Sequence, residues 1–128
     1  MIKIEKLKKA EEYCNLGDTY HTKEEYDEAI EAYNQAIKLN PDDPTTHYNL
    51  GLTYHKKRDC TKAIEAYKQA IKLDPNDADV YCNLGIVYDE KGNYNKAMEA
   101  YGQAIRLQPD NPDAGYNLLN VVLGGGNS

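Results

Sequence analysis

Asn15-Leu16-Gly17 returns as Asn49-Leu50-Gly51 and as Asn83-Leu84-Gly85, and an altered copy, Asn117-Leu118-Leu119, follows. The step is 34 residues each time. A strict period of that size marks an array of supersecondary units, none of which can bury its apolar face alone. The chain therefore divides into a lead-in (residues 1–9), three repeats (10–43, 44–77 and 78–111), a closing helix (112–123) and a flexible tail (124–128).

Within the first repeat the apolar pattern is helical and falls in two pieces. Tyr13, Leu16, Gly17 and Tyr20 lie at i, i+3, i+4 and i+7, the stripe of a first helix from about Ala10 to Thr22. Ile4 and Leu7 are spaced as one helical face, so the lead-in extends that helix by about two turns. Ala29, Tyr33, Ala36 and Ile37 form the stripe of a second helix from about Tyr26 to Leu39. Two such stripes pack as an αα-hairpin. The recurring glycine costs helix propensity, so its return at Gly51 and Gly85 predicts a close helix contact.

The punctuation agrees. Pro41, Pro75 and Pro109 end the second helices, since proline has no N–H to continue the ladder. Asp43, Asp77 and Asn111 stand where N-caps belong, with Pro44 and Pro112 in the first turn. Gly92 suits a left-handed helix end; Glu24 and Arg58 take the same place at greater strain. In the closing helix, Leu118, Leu119 and Val122 are expected to repeat the buried stripe and shield the third second helix, leaving Val121 and Leu123 outside.

Composition narrows the function. There are 15 Lys and Arg against 21 Asp and Glu, a net charge of −6, which disfavours binding to nucleic acid. No apolar run has the length of a membrane span, and the N-terminus lacks the h-region of a signal peptide, so a cytoplasmic location is expected. Three cysteines with no close pair do not make a disulfide scaffold. His21 and His55 occupy equivalent positions but lack the ligand cluster of a metal site, and no phosphate loop or nucleophile elbow is present. No catalytic residue and no cofactor is assigned, and no enzyme activity is expected. Of the 12 tyrosines, ten fall on the buried stripes, leaving Tyr48 and Tyr116. Cys60 replaces Tyr26 and Tyr94 as buried filler.

The motif Tyr13-x-x-Leu16-Gly17-x-x-Tyr20 with Ala29, Tyr33, Ala36 and Pro41, and its two further copies, resembles the tetratricopeptide repeat (TPR) over residues 10–111. The pentatricopeptide RNA binders are similar, but the acidic balance and the Gly and Pro placement favour the TPR. The resemblance implies an all-α fold, a right-handed superhelix of antiparallel helix pairs whose first helices line a concave groove. It also implies a non-enzymatic module that binds a peptide or helix of another protein.

If one stripe of each first helix is buried, the opposite face lines the groove. The candidate binding residues there are Asn15, Asp18, Tyr48, Asn49, Leu52, Asp79, Asn83, Ile86, Tyr116 and Asn117. A carboxamide offers a donor and an acceptor side by side, so the four asparagines suit a peptide backbone. This is similar to the Asn-lined superhelix of the O-linked N-acetylglucosamine transferase. Alternatively they bond a neighbouring helix or water. Tyr48 either anchors a ligand side chain or folds its ring into the core edge. The carboxylate clamp of some TPR domains, which holds acidic chaperone C-termini, asks for cations at Cys14, Asp79 and Asn83 and for Asn at Asp18 and Asn49; only Asn49 fits. A neutral or basic protein ligand is therefore expected. The alternative is a scaffold module that associates end to end through its apolar closing helix, as a homo-oligomer.

Overall fold

The computed structural model describes residues 2–124, and among these residues the chain forms seven helices. They are α1 (Ile2–Thr22), α2 (Tyr26–Leu39), α3 (Pro44–Lys56), α4 (Cys60–Leu73), α5 (Ala78–Glu90), α6 (Tyr94–Leu107) and α7 (Pro112–Gly124). The expected tail beyond Gly124 lies outside the described residues.

Three near-identical turns join the helices of each pair. Glu24, Arg58 and Gly92 all have positive φ, at 62°, 69° and 83°. The following N–H groups, of Glu25, Asp59 and Asn93, bond back to the carbonyls of Tyr20, Tyr54 and Tyr88. This is the Schellman closure, which satisfies the last carbonyls of the helix. Glycine accepts the left-handed conformation without cost, whereas Glu24 and Arg58 each hold it against about 1 kcal/mol of Cβ repulsion. The next pair starts from a side-chain cap: Asp43, Asp77 and Asn111 each accept from the backbone N–H two residues on, at 3.0 Å. Pro44 and Pro112 open α3 and α7.

The chain divides into two compact units, residues 1–73 and 74–128. In the first, α1 packs on α2, α3 on α4, and α3 also on α2 and α1. In the second, α5 packs on α6, and α7 rests on α6 and α5. The heart of every pair is one glycine and one tyrosine. The buried rings of Tyr33, Tyr67 and Tyr101 lie where a Cβ on Gly17, Gly51 and Gly85 would stand, within 2.5–2.6 Å of that point. The alanines around each ring, such as Ala29 and Ala36 about Tyr33, are fully covered and let the helices close on it.

Burial departs from the expected stripes in three places. Leu16 is 42% exposed, while its counterparts Leu50 and Leu84 are buried, because no helix covers that side of α1 among the described residues. In α7, Leu119 and Val122 are exposed and Val121 is buried. Leu119 stands at the glycine position of the repeat, and among the described residues no second helix follows α7 to receive it. Of the ten tyrosines placed on buried stripes, only Tyr33, Tyr67, Tyr88 and Tyr101 are buried; Tyr94 is exposed and the other five are half-buried. Cys60 is half-buried as well. A further buried line was not expected at all. Thr46 and Thr53 in α3, Val80 and Val87 in α5, and Ala114 and Val121 in α7 are each spaced i, i+7 and almost fully covered. Its sequence signal is the small or β-branched residue at both places; in α1 Glu12 breaks the pattern, and Thr19, although β-branched, is exposed with it.

Candidate functional site

In the first unit α1 and α3 carry a connected polar network beside the contact of Gly17 with Tyr33. Tyr33, on α2, reaches across its own pair and donates its hydroxyl to Asp18 Oδ1 at 2.5 Å. Asn49 Nδ2 donates to the same oxygen from α3 at a longer 3.4 Å. Oδ2 of Asp18 has no protein partner among the described residues. Burial, with the adjoining Asp18 carboxylate, pushes the Tyr33 hydroxyl far above its ordinary range, so it remains a donor at any physiological pH. Asp18 is thus an exposed anion with one oxygen fixed and one turned to solvent.

His21 is held beside it. Thr53 donates its hydroxyl to the Asn49 carbonyl at 2.9 Å, and the same oxygen lies 2.8 Å from His21 Nδ1. Since a hydroxyl has one proton, Thr53 must accept from His21, which places an imidazole hydrogen on Nδ1. The ring of Tyr26 meets His21 edge-on, with centroids 5.5 Å apart. Asp18, His21, Thr22, Tyr33, Asn49 and Leu52 line a cleft of about 220 Å³. Tyr48 leans its ring on the buried Tyr67, at 5.9 Å between centroids, and is half-buried. Cys14 contacts Thr46 across α1 and α3, Sγ to Oγ1 at 2.9 Å, and burial pushes its thiol above the usual range, keeping it neutral.

In the second unit Asp79 and Tyr116 are exposed, and Ile86, Asn83 and Asn117 are half-buried. Cys82 is buried, and burial likewise raises its thiol. Asn83 Nδ2 donates to the Asp79 carbonyl within its own helix at 3.0 Å. Asn117 Nδ2 reaches Cys82 Sγ at 4.0 Å. Three of the four asparagines thus use an amide hydrogen inside the protein, two of them toward a neighbouring helix; Asn15 is exposed. Sequence reading missed the Tyr33–Asp18 bond, whose only trace is an Asp one position after each repeat's glycine in the first copy and its replacement by Leu52 and Ile86 in the next two.

Asp89 occupies the place of His21, but the residue matching Thr53 one repeat on is Val121, which has no hydroxyl. Its Oδ1 is buried without a partner. Burial, then the nearby Glu90, raises this carboxyl above its ordinary value of 3.8. A raised folded value contributes stability that is complete in acid and lost as pH rises through it. Asp89→Asn is therefore expected to raise the unfolding midpoint at pH 7, and to lose that gain as pH falls below about 4, in melts followed by circular dichroism. No change at pH 7 would contradict the account.

Among the described residues no group of three or more His, Cys, Asp or Glu is placed to hold a metal ion, and no helix is long and apolar enough to cross a membrane. A TPR-repeat family model matches residues 17–57 and 59–92, and a tetratricopeptide-repeat model matches residues 78–111. The chain belongs to the TPR family. Its seven helices fit three TPR repeats and a capping helix, and the fold is the all-α TPR solenoid of helix pairs. The first TPR of Spaghetti (RPAP3), bound to the HSP90 peptide SRMEEVD, matches with a TM-score of 0.88 at 22% identity, over 91% of this chain and 93% of that one. The Arabidopsis OM64 TPR domain matches at 0.88 and 20%, over 93% and 98%. MamA matches at 0.85 with 32% identity, over 91% of this TPR chain and 67% of its own. No curated protein matches the sequence significantly. TPR repeats are in general non-enzymatic, and family and fold support a protein–protein interaction module.

Proposed function

We propose that this TPR module binds an extended peptide or a helix of a partner protein on the open face of its first helices, and that the ligand is neutral or basic. The observation that carries this reading is the Asp18 cleft. A carboxylate fixed by Tyr33 and Asn49, with its second oxygen open and Leu52 beside it, suits a ligand's cationic or amide donor next to an aliphatic group. It does not suit a terminal carboxylate, because Asp18 and Asp79 are exposed acids where a clamp needs an amide and a cation. Asn15 and Asn49 extend the binding face in the first unit, and Asn83, Ile86, Tyr116 and Asn117 hold the corresponding positions in the second. Asn49 keeps a second amide hydrogen and its Oδ1 for a ligand backbone.

Selection from a random peptide library tests the reading. Basic and neutral sequences are expected, and the peptide SRMEEVD is expected not to bind. Asp18→Asn and Asn49→Ala should each weaken a selected peptide by about tenfold, the scale of one hydrogen bond to a charged group. Tight binding of SRMEEVD, or selected peptides indifferent to both substitutions, would overturn the proposal. Self-association through α7 is the second reading, favoured by the exposed Leu119, Val122 and Leu123.

A further inference from the structure

The outer side of the α1–α2 pair is an open groove of about 550 Å³, lined by Tyr13, Leu16, Tyr20 and Ala32, with Glu28 and Glu31 among the acids along it. Its counterpart within this chain lies 34 residues on, at His47, Leu50, Tyr54 and Ala66. There the surface is covered: Ile30 and Ile37 of α2 pack against the cluster that holds Leu50 and Ala66. Leu50 is 6% exposed and Leu16 42%, so the same surface is closed at one repeat and open at the other. The α2 template also states what closes it, namely a helix that presents apolar side chains at i and i+7.

Helix α7 presents such a stripe, left uncovered among the described residues. Tyr116, Leu119 and Leu123 fall at i, i+3 and i+7 with Val122 beside them, and they are 53–76% exposed. From Ala114 to Gly124 the helix carries no charge, so it enters a groove bordered by Glu28 and Glu31 without like-charge repulsion. We infer that the Tyr13–Leu16–Tyr20 groove of one molecule receives the α7 stripe of a second copy, in the place that α2 takes over Leu50. This rests on the self-association reading and names its receptor. The contact is heterologous, groove to helix, and so builds either closed rings or longer assemblies. Four side chains on α7 present less than the about 800 Å² per partner of a standard interface, so the association is weak and rises with concentration.

Sedimentation equilibrium over a wide concentration range tests it, with Leu16→Glu for the groove and Val122→Glu for the stripe. Both replace side chains already in water, and Leu16→Ala and Leu123→Ala serve as milder versions should either lose its helical melt. The wild-type chain is expected to form oligomers, and each glutamate variant alone should associate at least tenfold more weakly. Mixed together they should recover a one-to-one pair, because one keeps its stripe and the other its groove. If Val122→Glu is monomeric while Leu16→Glu still associates, self-association through α7 stands and the groove assignment falls. Absence of recovery in the mixture overturns it too. A wild-type chain that stays monomeric at the highest concentration overturns both.

Discussion

Gly51→Ala is expected to lower the stability of the first unit by about 2 kcal/mol, the reverse of what alanine does in an ordinary helix. The added Cβ would stand 2.6 Å from Cδ1 and Cε1 of Tyr67. That ring is fully buried, with the Tyr48 ring packed against it at 5.9 Å between centroids, so it has no room to swing away. Overpacking of this depth costs roughly 3 kcal/mol, at the upper end of small-to-large core changes. The helix-propensity gain of about 1 kcal/mol offsets only part of it. Gly102 is the control: it sits inside α6 with nothing within 4 Å of where a Cβ would stand. Gly102→Ala should therefore stabilise by about 0.5–1 kcal/mol. Urea denaturation of the two variants gives opposite signs if the glycine–tyrosine contact is the hinge of each pair. A stabilised Gly51→Ala would show that the ring is not where the structure puts it.

Tyr33→Phe is expected to cost about 2 kcal/mol, the value of a hydrogen bond to a charged acceptor. It removes the donor that holds Asp18 Oδ1 and leaves the ring packing on Gly17 intact. Tyr101→Phe makes the same chemical change in the third repeat, where Ile86 stands in place of Asp18, and should cost markedly less. Denaturation midpoints of the two variants separate the charged bond from the loss of a tyrosine hydroxyl as such. The effect extends to function. Without Tyr33 the Asp18 carboxylate keeps only the long contact from Asn49, so a selected basic peptide should bind less tightly to Tyr33→Phe than to the parent chain. Equal losses for Tyr33→Phe and Tyr101→Phe would contradict this account.

Much of the local structure was legible before any coordinates. The Schellman turns at Glu24, Arg58 and Gly92 and the caps at Asp43, Asp77 and Asn111 depend on residues a few positions apart, and the period repeats them. The glycine–tyrosine contact was half legible, since the glycine's recurrence pointed to a close approach but not to Tyr33, Tyr67 and Tyr101 as the occupants. The candidate site was legible as a face and not as a network. Asp18, Tyr33 and Asn49 are 15 and 31 residues apart, and only the packing of three helices brings them to one oxygen. The buried Thr46 and Thr53 line went unseen because a threonine reads as polar until its hydroxyl finds a partner, here Cys14 or His21.

The sequence by itself determined the repeat, its helix pairs and their turns, because these follow from backbone geometry and from spacing within 34 residues. It assigned Leu16 and Leu50 the same role, since their local surroundings are nearly the same. Only the tertiary structure decided that Leu50 is covered by α2 and Leu16 is not, and that Val121 turns inward while Val122 faces water. Burial is a property of a residue and its neighbour together. A repeating sequence specifies the residue each time, and its place in the stack specifies the neighbour.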